Sequence, residues 1–169
     1  FSSKGPTAFD RLAKPELVAP GRGVVAAMSQ ENPHTAAQSP DRVAVPTDAG
    51  ALQNVYYAYY GTSFSAPVVS GTVALMLEAN RSLTPALVKA ALVRTANALP
   101  DSLFLSKTAN VLTQGVGPVN AAAAVELARG FVPNADKLKA GQQVLRPGYM
   151  PGGACQIGGE TVKTSTRVL

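Results

Sequence analysis

The segment Gly61-Thr62-Ser63-Phe64-Ser65-Ala66-Pro67 places a hydroxyl where an acyl-transfer nucleophile would need one. Gly61 permits a backbone bend or the close approach of a substrate. Ser63 stands where a helical pattern begins, so its side chain and its N–H lie at a helix N-terminus. Unpaired N–H groups and the helix dipole favour negative charge there. The N–H of Ser63 could therefore receive an oxyanion formed by attack of its own hydroxyl. An ordinary helix cap also puts Ser or Thr at such a point, and Gly-Thr-Ser alone fits that reading too. The segment is not a GxSxG elbow, because residue 65 is Ser, and the chain holds no SxxK pair.

The elements that would position Ser63 read as follows. Residues 1–15 are a Ser-, Gly- and Pro-rich loop. Leu17-Val18-Ala19, bounded by Pro15 and Pro20-Gly21, reads as a short buried strand. Val24 to Met28 is a second short apolar run, strand or loop. Residues 29–54 carry Pro33, Pro40, Pro46 and Gly50 and read as a long surface loop. Val55 to Tyr60 reads as a strand or an extended approach to the nucleophile. From Ser63 to about Ala79 apolar or small residues occupy nearly every side, the pattern of a helix buried all round, and Pro67 falls early in it, where a missing N–H is expected to cost nothing. Thr84-Pro85 signals the start of a second helix, running to about Ala98. Asn120 caps a third over 121–129, with Gly130 as its closing residue. Residues 131–169 change character and read as a tail or the start of a C-terminal extension after a first region, 1–130.

Several ordered blocks resemble the subtilisin-like serine proteases. GTSFSAPVVSG (61–71) is similar to their GTSxxxP nucleophile motif and the small-residue helix after it. FSSKGP (1–6) with KPELVAPG (14–21) resembles FSSxGP followed by KPDIVAPG. LTPALVKAALVRTA (83–96) and GVGPVNAAAAV (115–125) resemble the blocks that come next. Sedolisins also carry GTSxxxP, but KPELVAPG and GVGPVNAAAAV favour the subtilisin side. The resemblance covers residues 1–130 and implies an α/β fold, a parallel sheet flanked by helices, of which this chain holds the C-terminal part. It implies a Ser-His-Asp endopeptidase acting on protein or peptide substrates, with Ser63 as nucleophile and Thr62 supporting the oxyanion site. Tyr59, Tyr60 and Phe64 would flank the leaving-group side of the cleft, with Phe1 lining it too. By the same resemblance the protein is secreted or at the cell surface, and calcium binding is a family habit, although no acidic ligand cluster is visible in the sequence.

In this family Asp, His and an oxyanion Asn precede FSSxGP, and a Ser hydroxyl without a base is a poor nucleophile. His34, the single histidine, lies in the loop after Ala19-Pro20-Gly21 and not in an HGT context; Asp10, Asp41 and Asp48 match no motif. The expected partner is thus an N-terminal fragment of the same protease bearing Asp and His, bound as a second chain after nicking or autoprocessing. That fragment would also cover the apolar helix. The competing expectation is a catalytically dead relative that serves as a binding or scaffold module. Composition narrows the rest. Across 169 residues, 46 % hydrophobic and 15 % charged, the chain is not a disordered polymer. No apolar run is long enough to span a membrane. Fifteen Lys and Arg against ten Asp and Glu give a net charge of +5, spread loosely enough to read as a solvated surface and not a nucleic-acid patch. The single Cys155 excludes an internal disulfide and a cysteine zinc site.

Overall fold

A computed structural model of the chain describes residues 2–28, 40–46, 50, 52–97, 99, 107–147, 149, 156–157 and 160–161. His34, Asp48, Cys155 and Phe1 lie outside the described residues. The chain divides into two compact units, Phe1–Ser2 with Pro20–Val68, and Ser3–Ala19 with Val69–Leu169.

The first unit is a three-stranded antiparallel sheet feeding a helix. Strands β1 (Arg22–Ala27), β2 (Arg42–Pro46) and β3 (Leu52–Tyr60) lie in the order β1-β3-β2. Val25 sits opposite Ala58 and Arg42 opposite Tyr57, with register shifts between Arg22 and Val24 and between Val43 and Ala44. The expected strand before Gly61 is present and longer than anticipated. The expected loop over 29–54 is corrected: its described part holds β2 and the start of β3. Val43 and Val45 favour extended backbone, and Pro46 and Gly50 bound the β2–β3 connection instead of marking a continuous loop. Helix α1 (Thr62–Ala79) follows at once.

The second unit packs helices. Besides the later turns of α1 it contains α2 (Pro85–Thr95), α3 (Lys107–Gln114) and α4 (Ala121–Gly130). Local signals account for two of the starts. The Thr84 hydroxyl accepts from the Leu87 N–H, with Pro85 at the first helical position, and the Asn120 side chain accepts from the Ala123 N–H at 3.0 Å. Helix α2 ends at Thr95, short of Ala98. Helix α3 was not anticipated. Leu17-Val18-Ala19 makes a single parallel bridge, Val18 to Pro118, so the parallel pairing among the described residues is this contact, whereas the three-stranded sheet is antiparallel. Val18 donates to Gly117 O at 3.1 Å and accepts from Val119 N at 2.8 Å. The chain is thus of mixed α/β class, a partial domain.

The core of this unit gathers Met76, Leu83, Leu87, Ala91, Leu92 and the inner face of α4, Ala123, Ala124, Leu127 and Ala128. Phe131, Ala135 and Leu145 join it, held by an antiparallel bridge between Phe131 and Leu145. The reading of Gly130 as the cap that closes a helix over 121–129 is corrected. It is the last helical residue of α4, and Phe131 caps in extended conformation. The absent side chain instead leaves room for the Tyr149 ring, which a Cβ there would overlap. Tyr149 completes the contact by donating its hydroxyl to the carbonyl oxygen of Glu126.

The all-apolar helix finds cover on one side only within this chain. In this chain α1 buries one stripe, Thr72 and Met76, flanked by the half-buried Val69 and Val73, while Leu75 is 52 % exposed and Leu77 41 %. A Cβ added at Gly71 would meet nothing within 4 Å. The described residues supply packing for one side of an all-apolar helix. On that side a cleft of about 570 Å³ opens, lined by Leu17, Val73, Leu77, Val88 and Leu92 among others.

Asn80, just past α1, closes the core with polar bonds. Its Nδ2 donates to the carbonyls of Ala128 (2.9 Å) and Phe131 (3.3 Å), and its Oδ1 accepts from the Ser82 N–H (3.0 Å) and hydroxyl (2.6 Å). The residue is buried, so truncation strips partners from groups that water does not reach. Asn80→Ala is expected to cost about 3 kcal/mol, seen as a lower urea midpoint at unchanged slope.

At the surface the Glu16 carboxylate accepts from Lys14 and, at 2.6 Å, from Lys89. The Lys14 bond and then the Lys89 bond pull its pKa from 4.5 down to about 2. A carboxyl whose folded pKa is depressed adds stability above its unfolded pKa, and that contribution is lost as pH falls from about 4.5 through 2. Solvent screening holds it below about 1 kcal/mol. Lys89→Ala is expected to shrink the acid-side loss of stability and its salt dependence, measured by urea titration at neutral and acid pH.

Candidate active site

The site is built on the junction of β3 and α1. Strand β3 ends at Tyr60, and Gly61 turns the chain with φ +154°. Both backbone groups of Gly61 are engaged: its N–H donates to Gly21 O at 2.8 Å, and its carbonyl accepts from Phe64 N at 3.1 Å. The second bond closes the first turn of α1, and the first ties that turn to the strand entry at Gly21. The approach is close enough that a Cβ on Gly21 would collide with Ser65 Oγ and lie 2.8 Å from Gly61 O. Gly21 is therefore required by space. Its role was not read from the sequence, where it figured only as the end of KPELVAPG.

Ser63 is the second residue of α1 and is exposed, as is Thr62. Its N–H belongs to the first turn, whose donors have no partner within the helix and carry the positive end of the dipole. Pro67 departs from expectation. It is the sixth residue of α1, past the turn in which a missing N–H is free of cost, and it removes the N–H that would bond the Ser63 carbonyl. The first turn therefore depends more on its ties outside the helix.

Aromatic side chains form those ties. The Tyr59 ring stacks on Phe64, centroids 4.7 Å apart and planes at 25°, and Tyr57 tilts against Tyr59 at 5.1 Å. Such pairs contribute about 0.5–1.5 kcal/mol each beyond area burial. The Tyr59 hydroxyl donates to Ala27 O at 3.3 Å, so one side chain links β1, β3 and α1. Tyr60 is half exposed. Of the residues singled out in the sequence, Thr62, Ser63, Tyr59, Tyr60 and Phe64 are thus brought to one junction, and Phe1 lies outside the described residues. Asp41, matched to no motif, turns out to contact β3: Tyr57 and Tyr60 both donate their hydroxyls to its carboxylate. No local spacing could have revealed this. Asp10 is hydrogen-bonded by the Thr7 hydroxyl, which holds its carboxyl below the usual value. Among the described residues no three His, Cys, Asp or Glu side chains are grouped to hold a metal ion, and no helix is long and apolar enough to cross a membrane.

An exposed hydroxyl at a helix N-terminus, on a turn locked by two backbone bonds, is the arrangement that acyl transfer would need once a base is supplied. Over residues 1–122 the chain matches the profile of the subtilase family. It belongs to that family. The subtilase chain is 38 % identical over 97 residues to subtilisin-like protease SBT3.16 of Arabidopsis thaliana, a match that covers 57 % of this chain and 10 % of the plant protein. It is 34 % identical over 128 residues to subtilisin-like protease SBT1.2 of the same plant, covering 71 % and 15 %. With serine protease AprX of Bacillus subtilis (strain 168) the identity is 34 % over 89 residues, covering 53 % and 18 %. The matches thus take in between 10 % and 18 % of the length of these relatives.

Proposed function

We propose that this subtilase chain carries the nucleophile of a serine endopeptidase, Ser63. The observation that carries the reading is the exposed Ser63 on the first turn of α1, with the Gly61 turn before it pinned to Gly21. In the reaction the Ser63 hydroxyl adds to the scissile carbonyl carbon and gives its proton to a base. The oxyanion formed is received by the Ser63 N–H, with Thr62 supporting the turn that presents it. Collapse breaks the C–N bond, the proton passes to the leaving amine, and water then hydrolyses the acyl-enzyme. The base, the carboxylate that orients it and a second oxyanion donor come from an upstream segment of the same protease. Tyr59, Tyr60 and Phe64 border the leaving-group side, and protein or peptide chains are the substrates.

The test is a fluorophosphonate label on the intact native protease, mapped by mass spectrometry. The expected adduct is on Ser63, because phosphonylation needs both a base and an oxyanion site assembled around the hydroxyl. A folded protease, free of bound inhibitor or propeptide, that takes no label at Ser63 overturns the proposal and leaves a binding role for the chain.

A further inference from the structure

Asp41 precedes β2 and makes three contacts with the strand that delivers the nucleophile. Its carbonyl oxygen accepts from Ala58 N at 2.8 Å. Its Oδ2 accepts from the Tyr57 hydroxyl at 3.4 Å, and its Oδ1 from the Tyr60 hydroxyl at 3.3 Å. The two tyrosines do different work. Tyr57 tilts against Tyr59, which stacks on Phe64, the residue after Ser63. Tyr60 is joined directly to Gly61, whose two backbone bonds set the first turn of α1. One carboxylate therefore holds both routes by which β3 reaches Ser63, the aromatic stack and the main chain.

We propose that Asp41 is a positioning residue for Ser63, acting through Tyr60 and Tyr57 to fix the orientation of the Gly61–Ser63 turn. The proposal rests on the reading of Ser63 as nucleophile. Because Pro67 removes a helix bond at the Ser63 carbonyl, the turn depends on such outside ties, and small displacements of a reacting group are costly in rate. Asp41 touches no reacting atom; its effect is on how often the hydroxyl and N–H of Ser63 are aimed correctly.

A double-mutant cycle in the intact protease tests this, with two readouts: the second-order rate of fluorophosphonate labelling at Ser63, and amide hydrogen exchange of peptides covering residues 61–64. Asp41→Ala is expected to slow labelling about tenfold and to speed exchange of the turn, and Tyr60→Phe, which leaves the Tyr57 link, to do both to a smaller extent. The double variant is expected to be slowed about as much as Asp41→Ala alone, because that change already breaks the Tyr60 link. Asp41→Asn keeps a carbonyl acceptor and is expected to recover most of the rate, which a generally destabilised fold would not do. A hundredfold loss in the double variant, or two single variants with unchanged labelling and exchange, overturns the proposal. If the wild type takes no label, the nucleophile reading has failed, and the exchange rates decide the Asp41 link by themselves: faster exchange in Asp41→Ala with no further gain in the double variant supports it, and unchanged or additive exchange overturns it.

Discussion

Ser63→Ala in the intact protease is expected to lower kcat for peptide hydrolysis by on the order of 10⁴-fold or more, and to leave the melting temperature within about 2 °C of the wild type. Removing the hydroxyl deletes the covalent route, so whatever remains comes from binding and from the oxyanion donors. Those donors survive, because the N–H of residue 63 is backbone. The fold survives because Ser63 is exposed, and the turn is held by Gly61 and by the stack of Tyr59 on Phe64. KM should move little, and a transition-state-like inhibitor should bind to the variant more weakly than to wild type. Steady-state kinetics on a peptide substrate, with calorimetry beside it, checks both halves. Full activity in Ser63→Ala would remove the nucleophile assignment.

Gly21→Ala is the second large effect. One added methyl would meet Ser65 Oγ and come within 2.8 Å of Gly61 O, where no Cβ is tolerated. Either the Gly21 strand entry or the Gly61 turn must move, and the bond from Gly61 N to Gly21 O lengthens with it. Overpacking of this kind costs about 1–3 kcal/mol in stability. Its effect on rate is larger, because the displaced atoms lead straight into Ser63: about a hundredfold in kcat is expected from a misplacement approaching 1 Å. The signature separates the two variants. Ser63→Ala loses turnover and keeps stability, whereas Gly21→Ala loses both and still takes a fluorophosphonate label, slowly. A Gly21→Ala protease with wild-type kcat would show that the contact is relaxed in solution.

Legibility followed range along the chain. Ser63 at the head of a helix was readable from the Gly61 before it and the apolar run after it, and the Thr84-Pro85 start and the Asn120 cap because their bonds reach three residues on. The motif blocks identified the family by order and content. The antiparallel sheet was half hidden, because the β2–β3 pairing shifts register between Val43 and Ala44 and the ends of β2 resemble loop punctuation. Gly130 shows the same limit from the other side: a glycine after a helix suggests a cap, but a Tyr149 ring nineteen places later decides its use. Gly21 and Asp41 were invisible as parts of the site, since each acts on a segment far along the chain, and a linear pattern does not record which distant backbones approach. Helix α1 is apolar on every side while this chain packs one of them, in keeping with the expectation that the helix needs cover from elsewhere.

The bond between Gly61 N and Gly21 O has an evolutionary consequence. It fastens the two ends of the excursion over residues 22–60 to each other, so the chain leaves and re-enters the nucleophile turn at a single knot. Lengthening a segment whose ends are already fastened adds little closure entropy. Insertions and deletions in the connections inside it are therefore expected to leave the Gly61–Gly21 bond in place, while those that move Asp41 against β3 are expected to change how the Ser63 turn is held.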